Sequence, residues 1–192
     1  MGVSLIDDPI LPVLFDDPLP IVLLGRHPYY PQAHWVDINN LAAATEIVEH
    51  LIERGYRRIA NLSLPLTHVA GIDRRDGYKR ALLKHRMPID PRMMIETDAT
   101  MASGQAAMRQ LLELPERPDA VVAASDTVAL GALSVIQAAG LRVPEDIAVV
   151  GFDDQPSASM SNPPLTTVRQ PIGELGSRAV ELLIDRIEER QE

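Results

Sequence analysis

Arg74 and Asp153 are the charged residues whose places along the chain suit them best to holding a ligand. Asp153 follows the apolar run Ile147 to Phe152, and Arg74 stands near the expected start of a helix, where the macrodipole disfavours a cation. A guanidinium fork and a carboxylate together suit carboxylate, phosphate or vicinal hydroxyls. A plainer reading pairs Arg74 with Asp76 or Asp153 in a salt bridge, and both roles stay open. Asp154, next to Asp153, raises an acid–base pair as a second chemistry. Adjacent residues on an extended chain point apart, so one ligand-facing carboxylate and one solvated turn residue is the simpler account. Ser125 and Asp126 follow a second apolar run, Ala120 to Ala124, and can cap the helix that comes next.

Catalytic signatures are missing. The 192 residues contain no serine-nucleophile elbow, phosphate-binding loop, dinucleotide fingerprint or zinc-protease motif. The histidines at 27, 34, 50, 68 and 85 lack metal-ligand spacing, and the absence of Cys removes thiolate sites and disulfides. The expectation is a binding protein, not an enzyme, with no cofactor. A net charge of −9 argues against this segment itself gripping a phosphate backbone. No basic leader followed by a long apolar stretch opens the chain, so no signal peptide is expected. No apolar run is long enough to cross a membrane.

The elements that must position these residues are written in the periodicities. The runs Ala120–Ala124 and Ile147–Phe152 are continuous and rich in β-branched residues, with a helical pattern from Asp126 to Ala139 between them. That is a parallel βαβ unit buried on both faces. In open sheets of this kind ligands sit at the C-terminal strand edge. Upstream, Leu41, Ala44, Ile47, Val48, Leu51 and Ile52 mark a helix ended by Gly55, and Arg58–Leu62 a strand. A helix from about Asp73 to His85, a strand at Met93–Glu96 and a helix at Ser103–Leu114 continue the alternation. The expected fold is α/β with doubly wound parallel sheets in two lobes.

The lobes are unequal. Residues 37–162 are expected to make a nearly complete second lobe. Residues 1–36, with strands at Val3–Ile6 and Leu19–Leu24, join residues 163–192, with a strand at Leu165–Arg169 and a helix opened by Pro171, in a thin, incomplete first lobe. The helix from Asp126 is apolar almost all round. Either a neighbouring helix or a second subunit covers its outer side, and the subunit is favoured.

The runs IERGYRRIANL, RRDGYKRAL, VAASDTVALGAL, GLRVPEDIAVVGFDD and PPLTTVRQPIGELG resemble the effector-binding core of the lactose-repressor and purine-repressor (LacI/GalR) family of bacterial transcription regulators. The resemblance covers about residues 20 to 190. It implies the fold of type I periplasmic binding proteins, two lobes with a small-molecule effector between them, in a cytoplasmic, dimeric regulator. Arg74 and Asp153 match effector-binding positions, and Ser125, Asp126, His68 and Arg26 fall at or beside others. Leu130, Leu133 and Met160 match positions of the family's dimer interface. Gly25 and Ala99 stand where some members carry an effector-binding acid and a stacking ring. The resemblance further implies that this chain is a truncated piece, contacting operator DNA only through a helix-turn-helix that lies outside it. It points to a homodimer that senses a sugar or related polar metabolite and has no membrane association. The rival expectation is a secreted solute-binding protein of a sugar transporter, which shares the fold.

Overall fold

A computed structural model of the chain describes residues 5–188. It divides into two compact units: residues 1–39, 67–70 and 171–192, and residues 40–66 and 71–170. The larger unit holds helix α2 (Asn40–Glu53), strand β3 (Ile59–Ser63) and most of α3 (Val69–Lys84). There follow β4 (Met94–Glu96), α4 (Met101–Leu112), β5 (Ala120–Ala123), α5 (Asp126–Ala138), β6 (Ala148–Asp153), α6 (Pro156–Met160) and β7 (Thr166–Arg169). Its sheet has the order β4-β3-β5-β6-β7, every pair parallel.

Alternation along the strands makes two cores. Ile59, Ala120, Val122, Ala148 and Val150 meet Ile47, Val48, Leu51 and Ile52 of α2 and Tyr78, Ala81 and Leu82 of α3. Their neighbours Ala60, Leu62, Val121, Ala123 and Val149 point the other way, onto Ala107, Met108 and Leu111 of α4 and Val128, Ala132 and Ile136 of α5. Both faces are thus covered, which is why the strands read as unbroken apolar runs. Leu62 and Met108 are wholly buried, and cutting either to Ala would cost about 2–5 kcal/mol. Ser125 accepts the Val128 N–H at 3.3 Å and caps α5. Thr100 and Ser103 form a reciprocal capping box on α4.

The smaller unit holds α1 (Ile10–Asp16), β1 (Val22–Leu24), β2 (His34–Val36) and α7 (Ile172–Glu188). β1 and β2 form a two-stranded parallel sheet, against which α7 leans. α7 has no buried residue, and Ile172, Val180, Ile184 and Ile187 are exposed. Leu5 pairs with His68 in an isolated antiparallel bridge. Half of the strand expected at Val3–Ile6, Val3 and Ser4, lies outside the described residues.

Several expectations change. The sequence puts β7 in the thin lobe, yet it pairs with β6 from Val150 opposite Thr166 to Asp153 opposite Arg169. The Thr-Thr-Val stretch is a good strand former and covers what would otherwise be an open edge of β6. α3 begins four residues earlier than expected, at Val69, so Arg74 lies in its second turn, past the strongest field of the helix end. Gly71 permits this, because a Cβ there would sit 2.5 Å from the Pro65 carbonyl oxygen. The apolar girth of α5 is answered largely within the chain. A Cβ on Gly131 would lie 2.3 Å from the Met101 carbonyl oxygen, and one on Gly104 2.4 Å from that of Val128, so α4 and α5 pack backbone to backbone. Leu133 is only 5% exposed and has little surface left for a partner.

Candidate functional site

The C-terminal edge of the five-stranded sheet carries the polar cluster. Arg74 reaches it from α3 and is 6% exposed. Its Nε donates to Asn40 Oδ1 at 2.9 Å, and its Nη1 donates to the Ala124 carbonyl at the end of β5. The guanidinium carbon stands 3.6 Å from the centre of the Phe152 ring, a cation–π contact in a dry setting. Asp153 Oδ1 approaches Nη1 at 3.6 Å, beyond hydrogen-bond length. Two neutral acceptors and a ring thus help to orient the cation.

Asp153 is held from two sides. Gln155 Nε2 donates to its Oδ2 at 3.3 Å, and Gln170 Nε2 donates to its Oδ1. Its φ of 118° is in a region that side chains rarely adopt. Such a conformation costs about 1–3 kcal/mol and persists only where the surroundings over-determine it. Asp154, at φ 55°, turns away and accepts from Arg169 Nε. The two acids thus part, one toward Arg74 and one into a partly exposed ion pair, and make no acid–base couple.

Asp126 turns inward and does not face a ligand. It has no exposed surface; its Oδ2 accepts the Gln155 N–H at 2.7 Å and its Oδ1 accepts from the Thr167 hydroxyl. Gly151 leaves it room, since a Cβ there would collide with Oδ1. Burial pushes its carboxyl above the ordinary range, the two hydrogen bonds opposing this and the Asp153 and Asp154 charges adding to it. Asp126 fastens the 153–155 turn and β7 to the start of α5 and has no oxygen to offer a ligand. Ser125 is 7% exposed, and its hydroxyl is engaged as the α5 cap.

Arg26 and His68 belong to the smaller unit. The Arg26 side chain is partly exposed, 4.0 Å from Asp37 Oδ2, and His68 is fixed through its bridge to Leu5. Asn40, Ala124, Phe152, Gln155 and Gln170 escaped sequence reasoning. A backbone carbonyl leaves no mark in a sequence, and Phe152 read as core. Gln170 had one signal: it precedes Pro171, which biases it to extended backbone. Among the described residues no group of three or more acids or histidines could hold a metal.

The sequence matches the periplasmic binding protein-like domain over residues 48–192. The HTH-type transcriptional regulator CelR of Thermobifida fusca is 44% identical over 183 residues, covering 94% of this chain and 54% of the regulator. The chain belongs to the LacI family. The solved complex of CelR with cellobiose matches this LacI-family chain with a TM-score of 0.92 at 44% identity, over 97% of this chain and 58% of that one. A LacI-family regulatory protein from Chloroflexus aggregans matches with a TM-score of 0.89 at 37% identity, over 96% of this chain and 66% of the other. The chain spans about half the length of the curated LacI-family regulators it matches. No helix among the described residues is long and apolar enough to cross a membrane.

Proposed function

We propose that this chain is the effector-sensing part of a cytoplasmic bacterial transcription regulator, and that its effector is a small, uncharged, polyhydroxylated metabolite held by Arg74 and Asp153. The observation that carries the reading is Arg74 itself. It is a buried guanidinium oriented by Asn40, Ala124 and Phe152, beside a carboxylate that stays outside hydrogen-bond distance. Such a pair presents fixed donors and acceptors without a nucleophile, which suits recognition and not chemistry. A neutral ligand fits the local balance, because Asp153 stands 3.6 Å from Arg74 and Asp154 is met by Arg169. Kinship with CelR, solved with cellobiose, supports a sugar.

The regulator acts by population shift, with effector binding favouring one of two conformations. Operator DNA is read by a helix-turn-helix outside this acidic chain. Two copies pair through Leu130 and Met160, the latter 81% exposed on α6. A thermal-shift screen over cellobiose, other di- and monosaccharides, polyols and nucleobases tests the effector class. A true effector at 100 times its Kd stabilises the fold by about 2.7 kcal/mol. Stabilisation by nucleobases alone would overturn the sugar assignment.

A further inference from the structure

Asn40 and Gln170 are the first and last residues of the larger unit. These same two residues grip the candidate pair: Asn40 Oδ1 accepts from Arg74 Nε at 2.9 Å, and Gln170 Nε2 donates to Asp153 Oδ1. Asn40 is 2% exposed at the start of α2, and Gln170 directly follows β7. We infer that Asn40 and Gln170 are positioning residues that fix Arg74 and Asp153 in their ligand-ready geometry; this rests on the reading that Arg74 and Asp153 hold the effector.

The chemistry of each grip is specific. Arg74 needs an acceptor at position 40 to set the rotation of its guanidinium plane over the Phe152 ring. An Arg fork loses its geometric advantage once its plane is wrong. Gln170 adds a second donor to the one that Gln155 supplies, so that both oxygens of the Asp153 carboxylate are held.

Isosteric substitutions separate this from a packing role. Asn40→Asp keeps the shape and the acceptor; Gln170→Glu keeps the shape but replaces the donor with a second carboxylate. The proposal expects Asn40→Asp to bind a cellobiose probe within about threefold of the parent, and Gln170→Glu and Asn40→Leu to bind about tenfold or more weakly. A role in packing alone leaves both isosteric variants like the parent, and that outcome overturns the inference. A second readout needs no ligand. In 15N-labelled protein, the Arg74 Nε–H resonance, assigned with Arg74→Lys, is expected to be slow to exchange in the parent and in Asn40→Asp and fast in Asn40→Leu. Equal exchange in all three contradicts the role of Asn40 whatever the sugar does. If no sugar binds any of these proteins, the effector assignment fails while the exchange measurement still decides the positioning.

Discussion

The guanidinium of Arg74 lies 3.6 Å from the centre of the Phe152 ring, and Phe152 is the residue before Asp153 in β6. One strand end therefore supplies both the surface on which the cation rests and the carboxylate beside it. The buried ring does what water would do for an exposed cation, and its removal leaves Arg74 poorly solvated. Phe152→Leu is expected to cost about 2–3 kcal/mol, combining a shape change in a packed site with a lost cation–π contact of up to about 2 kcal/mol. Urea unfolding measures it; a loss under about 1 kcal/mol would mean that the ring only fills space.

Gly131 and Gly176 make opposite predictions. Alanine normally gains up to about 1 kcal/mol over glycine inside a helix. Gly176 in α7 has open space where a Cβ would go, so Gly176→Ala should stabilise by roughly 0.5–1 kcal/mol. Gly131→Ala must push α5 off the Met101 carbonyl and should destabilise by about 1–3 kcal/mol in spite of propensity. Thermal melts of the two variants check the sign of each.

Asp126 fixes a pH dependence. Its carboxyl is pushed above the ordinary value of 3.8. The unfolded chain therefore ionises first as pH rises, and the folded state loses stability through the window between the ordinary and the raised value. Below about pH 4 Asp126 imposes no such loss. Asp126→Asn imitates the protonated form, so its stability relative to the parent should climb as pH rises from about 4 toward neutrality. Urea midpoints taken at several pH values give the difference directly; a gap that stays constant contradicts the burial argument.

Self-association should depend on Met160. It projects from α6, which packs beside α5, and is 81% exposed, so a charge there leaves the fold of one chain intact. Met160→Asp should reduce the mass seen by light scattering from that of two chains to that of one, because an unpaired charge would be buried in the interface. An unchanged mass removes α6 from the interface.

Much of the larger unit was legible because its central strands are covered on both faces and its helices carry apolar residues at helical spacing. The βαβ unit from Ala120 to Asp153 is the clearest case, with cap, stop and strands all written locally. β7 was visible as a strand but not as a neighbour of β6, since four residues carry no sign of which sheet they join. Leu133 matched an interface position in the resemblance, yet it is only 5% exposed, and the close approach of α4 to α5 that Gly104 and Gly131 allow is a fact of pairing between helices. At the site, Arg74 and Asp153 are marked by charge and place, and the structure sets them 3.6 Å apart. Asp126 announced itself equally well and proved to be a buried fastener, because charge alone does not say which way a carboxylate turns. The neutral acceptors of Arg74 carried no charge signature at all.

The central claim is that the Arg74 fork contacts a sugar. Arg74→Lys tests it with least disturbance, since Lys keeps the charge but cannot serve Asn40, Ala124 and a ligand together. Calorimetric titration with cellobiose, or with the best sugar of the screen, should show binding weakened by about 1.5–3 kcal/mol, ten- to more than a hundredfold, in a protein that still melts cooperatively. Equal affinity in the parent and in Arg74→Lys would contradict it.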